Sequence, residues 1–494
     1  MENAAIQTKT IVGLEIHVQL RTRSKLFCAC PVRTDAPPNS CVCPVCLGYP
    51  GALPVLNREA LRLAILAGMA LNGDVARFTK WDRKSYFYPD LPKGYQISQY
   101  DKPVSTGGFL EFDVDGAQRH VGIRRAHLEE DAGKNIHEAS EETLDDLNRA
   151  GTPLLEIVTE PDLCGGEDAY VFCTELQRLI VHLGVSDADM QKGQMRFEPN
   201  VNLLIRADGK EYRTPITEVK NLNSFRSVRQ AIDFETRRQT AEWEKDHGYV
   251  LGRRPNENRG WDAEREVTDF QRGKEAAHDY RYFPDPDLPP VHLDDAMLAD
   301  VRTFLVELPV ARRRRYVEML RLSHKDADTL VDQRNTAELF ESVLSSGGPV
   351  EIAGKQFVNV WLKLANARGA AVGQLGVSAA QMAELARITG DGTINKSAAN
   401  QLAEVLLERG GSPTALAGEL GWLQVRDEGA TRKWVEEALA ENQQAVNDAR
   451  DNPKKTQAAF GFLRGQVMRI SGGKADPRIV GKLLEDRLRE LDGG

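Results

Sequence analysis

The sequence predicts a mixed α/β domain followed by all-α helical domains. The chain has 494 residues, of which 41% are hydrophobic and 28% are charged, an ordinary globular composition that can fill several cores. Strand and helix patterns alternate as far as about residue 294, and helical periodicity alone continues after it. We therefore predict an α/β domain over residues 1–294, a helical linker domain over residues 295–347 and a helical tail over residues 348–494.

Two strands are predicted from the spacing of apolar residues. Residues 12–20 alternate, with Leu14 and Ile16 on one face of a strand and with Glu15 and His17 on the other. Residues 154–158 form a shorter strand that is apolar except for one carboxylate. Both segments are therefore predicted to be strands of the α/β domain.

Helices in this domain are predicted from their end signals. Asn57 is a good N-cap for a helix that runs to residue 71, because its side chain can accept from free backbone N–H groups. A glycine pair at residues 165–166 precedes a second amphipathic segment, and Gly184 is expected to end that helix.

The second half of the chain is predicted to be helical throughout. Residues 298–308 and 311–322 have helical periodicity and are separated at Pro309. The Ser, Gly and Pro residues at 345–349 give the clearest boundary in this half. Further amphipathic helices are predicted over residues 357–364, 379–388, 397–409, 432–441, 460–470 and 477–491.

Charge and hydropathy restrict the location and the partners. The net charge is -9, from 64 Lys and Arg against 73 Asp and Glu, so a polyanion needs a local basic patch. Residues 312–315, all arginine, and residues 454–455, both lysine, are such patches, although charge patterning alone favours a solvated helical face. The longest apolar run, residues 63–71, is too short for a membrane span, and the N-terminus lacks signal-peptide features. We therefore predict a cytoplasmic protein.

Five of the seven cysteines lie between residues 28 and 46. Their spacing gives a C-x-C arm and a C-P-x-C arm separated by a polar loop, as in tetrahedral zinc sites. The predicted zinc ligands are Cys28, Cys30, Cys43 and Cys46. Four thiolates leave no open position on the metal, so this zinc is predicted to be structural, while reduced cysteines without metal remain the alternative.

Carboxylates and one imidazole form a second group. Glu15 and His17 share a strand face, and Glu129 and Glu130 are adjacent in a later segment. Glu156 interrupts the apolar strand, where a buried carboxylate needs a cation or hydrogen-bond donors. Spacing alone leaves two interpretations open: a salt bridge to a buried Arg or Lys, or an oxygen-rich Mg²⁺ site.

Two segments combine aromatic rings, cations and prolines. They are residues 81–96 and 279–287, which contain Arg83, Lys84 and several tyrosines. Such loops can bind phosphate or stack a base, and they can equally be structural loops anchored by their rings. Both are unusual enough in composition to mark candidate sites.

Six segments together resemble one known family. They are residues 12–20, 82–99, 128–134, 146–156, 220–225 and 279–284. In this order they closely resemble the B subunit of the glutamyl/aspartyl-tRNA amidotransferase (GatB). The resemblance covers nearly the full chain, and its C-terminal region is similar to the YqeY-like tail of that family.

The resemblance implies a fold and a reaction. It implies a glutamine-synthetase-like α/β catalytic cradle, then a helical domain and a YqeY-like tail that bind tRNA. Members of the family are ligases that convert misacylated Glu-tRNA(Gln), and often Asp-tRNA(Asn), into the amidated forms. ATP phosphorylates the side-chain carboxylate of the attached amino acid, and ammonia then displaces the phosphate. A glutaminase A subunit supplies ammonia through a channel, and a small C subunit completes a heterotrimer.

The resemblance also assigns roles to individual residues. It places Mg²⁺ binding at Glu15, His17, Glu130 and Glu156, with Glu129 at a second cation. Lys84 matches the region that lines the ammonia path and the mouth of the active site, and it completes the predicted catalytic set. Glu129, Arg83 and Lys134 form the predicted cofactor-binding set, in which balancing of phosphate charge by Lys134 is our own inference. The cysteine pairs match the zinc site of the family.

The chain departs from the family pattern at two places. Residues 196–202 carry Glu198 where the family usually has Asp and Pro199 where it usually has Ala. Glu198 keeps the charge with one more methylene, so we expect a change in local geometry more than in activity. Cys41 is an additional cysteine. Two other functions remain as alternatives: an inactive tRNA-binding scaffold of the same fold, and an ATP-dependent amide ligase acting on a free metabolite.

Overall fold

A computed structural model describes residues 6–114, 116–136, 142–273, 280–424, 427–451 and 455–492. Asp279 of the second aromatic segment and Lys454 of the lysine pair therefore lie outside the described residues. The chain forms two compact units, Met1–Arg312 and Arg313–Gly494. The first unit is mixed α/β and the second is helical, as predicted from the sequence.

The strands of the first unit have the following bounds. In chain order they are β1 (Gln7–Gln19), β2 (Asp74–Val75), β3 (Phe78–Thr79), β4 (Asp82–Ser85), β5 (Tyr95–Ser98), β6 (Ser105–Thr106), β7 (Phe109–Val114), β8 (Ala117–Glu130), β9 (Lys134–Ile136), β10 (Leu144–Asp146), β11 (Pro153–Thr159), β12 (Met195–Ala207), β13 (Lys210–Arg213), β14 (Thr217–Lys220), β15 (Glu257–Asp262), β16 (Val267–Gly273), β17 (Phe283–Pro284) and β18 (Val291–His292). The strands predicted over residues 12–20 and 154–158 are confirmed as β1 and β11.

Among the described residues, eleven strands form one sheet in the order β16-β15-β14-β12-β1-β11-β8-β6-β2, with β13 beside β12 and β7 beside β8. The pairs β1–β11, β1–β12 and β11–β8 are antiparallel. His17 lies opposite Glu156, and Glu156 lies opposite His127. Because paired residues of antiparallel strands project from the same face, these three side chains form one row across the sheet.

The helices follow with their bounds. In chain order they are α1 (Arg58–Ala70), α2 (Gly166–His182), α3 (Phe225–Lys245), α4 (Asp295–Arg302), α5 (Pro309–Glu318), α6 (His324–Val331), α7 (Arg334–Ser345), α8 (Val350–Gln356), α9 (Leu362–Ala367), α10 (Ala379–Gly390), α11 (Lys396–Arg409), α12 (Pro413–Glu419), α13 (Glu428–Glu441), α14 (Gln443–Asp451), α15 (Thr456–Ile470) and α16 (Pro477–Asp492). A π-helical segment, Phe357–Trp361, precedes α9, and a 3₁₀ segment, Val372–Gln374, follows it.

The apolar face of the large sheet packs against helices. Leu14, Ile16 and Val18 of β1 are at most 1% exposed and share one core with α1 and α2. The N-cap prediction for α1 is confirmed, since the side chain of Asn57 accepts hydrogen bonds from the backbone N–H groups of Glu59 and Ala60. The opposite face of β1 carries its polar residues and can line a cavity.

A buried polar network joins α3 to the sheet beside this cavity. The fully buried Gln239 side chain donates through Nε2 to Val201 O at 3.1 Å and to Thr217 Oγ1 at 3.2 Å. Val201 and Thr217 are register partners across β12 and β14, and the next pair is Asn200 with Glu218. The network therefore links α3 to both strands of the β12–β14 pair.

Gln239→Leu should lower the free energy of unfolding of the first unit by about 2–3 kcal/mol, because several buried polar groups lose their partner at once. The matched control is Gln230→Leu, since Gln230 bonds Glu266 at an exposed position of the same helix. Urea denaturation followed by tryptophan fluorescence measures both variants. Equal midpoints for the two variants would show that the network contributes no stability.

The second unit contains two helical cores. One extends from Tyr316 to Ala417 and the other from Val435 to Leu484. The 345–349 segment connects α7 to α8, yet Phe340 before it and Phe357 after it belong to the same core. The predicted domain boundaries at residues 294 and 347 stay predictions. The first unit reaches Arg312, and Val301, Leu305 and Leu308 pack on the core that the sheet shares with α1 and α2.

In the arginine run at residues 312–315, Arg312, Arg313 and Arg315 form ion pairs with carboxylates of the same chain. Arg312 and Arg313 are 6% and 8% exposed. Arg312 Nε donates to Glu307 at 3.0 Å, and Arg313 Nη1 donates to Asp328 at 3.0 Å. This part of α5 is therefore an ion-paired segment and not a solvated helical face. A bilayer span needs a long apolar helix, and the described part of the chain contains none.

Candidate active site

The row of side chains across β1, β11 and β8 forms the floor of a cavity of about 750 Å³. His17 Nε2 lies 3.5 Å from Glu129 Oε1 and 3.8 Å from Glu156 Oε2. His127 Nε2 lies 3.0 Å from Glu156 Oε2. Glu129 shares this face because it follows His127 by two positions in the same strand. We call His17, Glu129 and Glu156 the first cluster.

The two carboxylates of the first cluster, Glu129 and Glu156, are both buried. Burial raises the pKa of Glu129, and the charge of Glu156 raises it further. Burial also opposes ionisation of Glu156, but His127 and His17 lower the pKa of that carboxyl well below its ordinary value. One atom from each member of the cluster lies within 4.8 Å of the others. The donor set of two carboxylates and an imidazole fits a divalent cation.

A second cluster lies beside the first and consists of Glu15, Glu198 and Glu218, whose ligand atoms also fall within 4.8 Å of one another. Glu15 and Glu198 are register partners across β1 and β12. Lys220 Nζ lies 2.6 Å from Glu198 Oε2 and 3.2 Å from Glu218 Oε1. Burial opposes ionisation of Glu198, but the charge of Lys220 lowers its pKa below the ordinary value. The family departure at Glu198 therefore lies inside the site.

The other wall of the cavity is aromatic and cationic. Lys84 lies with its Nζ 4.8 Å from the ring centroid of Tyr280 and 5.7 Å from that of Tyr86. Tyr100 and Tyr282 stack with centroids 4.3 Å apart and an angle of 15° between the rings. Both aromatic segments singled out in the sequence therefore meet at this wall. Further cations line the same cavity, namely Arg124, Arg125, Arg149, Arg196 and Arg272.

Three residues of the predicted catalytic and cofactor-binding sets lie outside the lining of this cavity. Glu130 projects from the opposite face of β8, where it pairs with Lys93 and accepts from Ile97 N at 2.8 Å. Arg83 donates to Asp285 at 2.7 Å and so fastens β17 to β4. Lys134 is exposed at the start of β9. Glu129 and Glu130 are adjacent in β8, so their side chains project from opposite faces of the sheet.

The Lys93–Glu130 pair is buried, with side chains only 8% and 4% exposed. Lys93→Met should therefore destabilise the first unit by about 3–5 kcal/mol, because it leaves a carboxylate buried without its cation. The double variant Lys93→Met/Glu130→Gln removes the charge yet keeps an acceptor for Ile97, and it should recover most of the loss. Thermal denaturation of both variants measures the difference. A single variant as stable as the double one would contradict this prediction.

The four predicted zinc ligands come together. Cys28, Cys30, Cys43 and Cys46 place their sulfur atoms within 4.8 Å of one another. The hydrogen bond from Cys28 lowers the pKa of the Cys46 thiol to about 4, against the effect of burial. The four sulfurs fit one tetrahedral metal ion. The remaining cysteines lie apart from this group: Cys41 is buried, Cys164 is exposed and Cys173 is buried in the core.

Sequence reasoning missed several residues of the site. His127 precedes Glu129 by two positions, and that spacing is the same signal that links Glu15 with His17. Glu218 and Lys220 show the same alternation in β14. Their roles were not evident because the neighbours of a strand in the sheet are set by chain folding and not by local pattern.

Comparison with known proteins places this geometry in a family. Residues 10–299 match the family model described as the GatB/GatE catalytic domain, so the sheet and its cavity are a catalytic domain of that class. Residues 338–488 match a second model, described as a GatB domain.

Relatives that align over nearly the whole chain agree with both matches. The B subunit of the aspartyl/glutamyl-tRNA(Asn/Gln) amidotransferase from Caldicellulosiruptor saccharolyticus is 41% identical over 491 residues, which cover 98% of this chain and 100% of the relative. The corresponding protein of Moorella thermoacetica is 42% identical over 486 residues, with 98% and 100% covered. That of Rhodopirellula baltica is 43% identical over 488 residues, with 98% and 97% covered. The chain belongs to the family of aspartyl/glutamyl-tRNA(Asn/Gln) amidotransferase B subunits.

Proposed function

We propose that this chain is the kinase and amidase subunit of a tRNA-dependent amidotransferase. It acts on misacylated Glu-tRNA(Gln), on Asp-tRNA(Asn), or on both. The observation that carries the proposal is the first cluster, because its buried carboxylates and imidazole form the floor of a large polar cavity in the catalytic domain of this family. The named relatives are amidotransferase subunits for these two tRNAs.

The reaction has two steps. An oxygen of the side-chain carboxylate attacks the γ-phosphorus of ATP, and the bond to ADP breaks to leave an acyl phosphate. Ammonia then attacks the acyl carbon, inorganic phosphate leaves, and loss of a proton gives the amide. The first step brings two anions together, and a bound Mg²⁺ would neutralise phosphate charge during this transfer.

Different residues of the cavity bind the cations and stabilise the charge of the phosphates. His17, Glu129 and Glu156 would hold one cation, and Glu15, Glu198 and Glu218 would hold another. Lys84 and the arginines of the cavity wall supply fixed positive charge toward the phosphates. Glu130, Arg83 and Lys134 act indirectly in this proposal, since their side chains lie outside the cavity lining.

The remaining parts of the proposal concern the whole assembly. The cysteine group holds a structural Zn²⁺, the α/β domain is a glutamine-synthetase-like cradle, and the helical YqeY-like tail binds tRNA. The glutaminase A subunit supplies ammonia, and the small C subunit completes a heterotrimer in the cytoplasm. The charged groups of both clusters favour an enzyme over a scaffold, because a scaffold has no use for buried carboxylates facing a cavity.

The experiment is amide formation by the purified chain with its A and C subunits, ATP, Mg²⁺ and glutamine. Glu-tRNA(Gln) and Asp-tRNA(Asn) are supplied separately, and the attached amino acid is identified after hydrolysis. We expect conversion of at least one tRNA, and the pair of results defines the specificity. If no amide forms on either tRNA and no ATP is cleaved, an inactive tRNA-binding scaffold becomes the better interpretation. Amidation of a free amino acid at a similar rate would favour the metabolite ligase.

A further inference from the structure

The stacked pair Tyr100 and Tyr282 has no task in the chemistry described above, although both rings line the cavity. Tyr100 is 45% exposed and lines the cavity, so part of the stacked pair is accessible to solvent. The other two tyrosines of this wall differ, because Tyr86 and Tyr280 meet edge to face and lie against the ammonium of Lys84. Among the described tyrosines that line the cavity, only the first pair is stacked nearly parallel and includes an exposed residue.

The backbone that carries this aromatic pair is anchored on both sides. The backbone N–H of Tyr100 donates to Asp82 Oδ2 at 3.0 Å, and Arg125 Nη1 donates to Tyr100 O at 3.4 Å. Tyr282 directly precedes β17, whose residue Phe283 is the register partner of Arg83. Because the backbone is anchored at Tyr100 and next to Tyr282, this part of the chain loses little freedom when a ligand stacks on the rings.

Charges around the pair indicate what sort of ligand the surface fits. Arg125 lines the cavity beside Tyr100, and its Nε is buried without a hydrogen-bond partner. Tyr282 lines the same cavity as Glu129 and Glu156. Burial raises the pKa of its phenol, and the negative charges of these two carboxylates raise it further. An aromatic surface beside cations and beside a cation-binding floor suits a ligand with a flat base and a phosphate chain.

We propose that Tyr100 and Tyr282 form a stacking platform for a nucleobase. The proposal rests on the proposed function, from which it takes the presence of a nucleotide in the cavity. The base is adenine, which occurs both in ATP and in the terminal adenosine that carries the amino acid on tRNA. Stacking itself distinguishes poorly between bases, so the platform contributes affinity and leaves selection among purines to other contacts.

The test is equilibrium binding to the full-length chain, with isothermal calorimetry for wild type, Tyr100→Leu, Tyr100→Phe and the control Tyr170→Leu. Tyr170 lies on α2 outside the cavity lining. The probes are MgATP and magnesium tripolyphosphate, which carries the phosphates without a base. Tyr100→Leu should weaken MgATP binding about tenfold, in line with the loss of one stacking contact, and leave tripolyphosphate binding unchanged. Tyr100→Phe and Tyr170→Leu should bind both probes as wild type does.

A second arm identifies the source of the base. It compares a tRNA that ends in the terminal adenosine with the same tRNA lacking that nucleotide. If MgATP binding is unchanged in Tyr100→Leu but the preference for the complete tRNA is lost, the platform takes the tRNA adenosine. If Tyr100→Leu binds both MgATP and the complete tRNA with wild-type affinity, the stacking platform is overturned, while the proposed function is not affected. Failure of the wild-type chain to bind either phosphate probe would instead overturn the proposed function.

Discussion

Glu156→Gln is expected to reduce amide formation by about 100- to 1000-fold, the range found when one charge-stabilising group is removed from a preorganised site. The amide is nearly isosteric, but it carries no negative charge for a bound cation. Glu156 also lies between His17 and His127, so the substitution removes one of the two carboxylates near these imidazoles and leaves only Glu129. The measurement is initial-rate amide formation in the reconstituted complex.

The matched control for this variant is Glu167→Gln, which neutralises a half-exposed carboxylate paired with Arg229 on the protein surface. It should retain wild-type activity, since Glu167 lies outside the cavity lining. Binding of Mn²⁺ followed by electron paramagnetic resonance gives a second readout, and Glu156→Gln should lose one bound ion per chain. Full activity in Glu156→Gln would show that the first cluster does not support the reaction.

Removal of the cysteine group is expected to have the second-largest effect. Cys43→Ser should lose bound zinc and lower the melting temperature of the chain by about 10 °C or more, because metal binding contributes folding free energy directly. The cysteine pairs hold together the loop before α1, and Lys25 Nζ lies 3.5 Å from Cys46 Sγ beneath it. Metal analysis of the purified chain and calorimetric melting measure the two effects.

Cys164→Ser and Cys41→Ser are the controls for the cysteine group. Cys164 is exposed, and Cys41 lies outside the group of four sulfurs. Both variants should therefore retain zinc. A strong chelator should lower the melting temperature of wild type and of both controls, but leave that of Cys43→Ser unchanged. Zinc-free protein with an unchanged melting temperature would contradict a structural role for the metal.

Local pattern predicted much of this fold. The alternation in β1 separates the apolar residues of the core from Glu15 and His17 in the cavity, and the structure has that division. End signals gave α1 and α2 within two residues, since the Asn57 cap and the glycines are local features of the chain. The four sulfurs meet as predicted because their spacing is short and leaves few ways to arrange them.

The pairing of strands that are distant in sequence could not be predicted from local pattern. The first cluster needs the register of β1 with β11 and of β11 with β8, and these strands are far apart in sequence. The adjacent residues Glu129 and Glu130 show the consequence, because only knowledge of which face of β8 meets the cavity separates them. The arginines of α5 could not be placed either, since their acidic partners Glu307 and Asp328 are recognisable only after packing.

The most direct test of phosphoryl transfer at the first cluster is ATP cleavage without any source of ammonia. The chain, with its A and C subunits and Mg²⁺, is mixed with γ-labelled ATP and with either Glu-tRNA(Gln) or the already amidated Gln-tRNA(Gln). We predict that ATP cleavage by wild type requires a side-chain carboxylate on the tRNA and disappears in Glu156→Gln. Equal cleavage with both tRNAs, or cleavage that persists in Glu156→Gln, would contradict activation of the amino acid at this site.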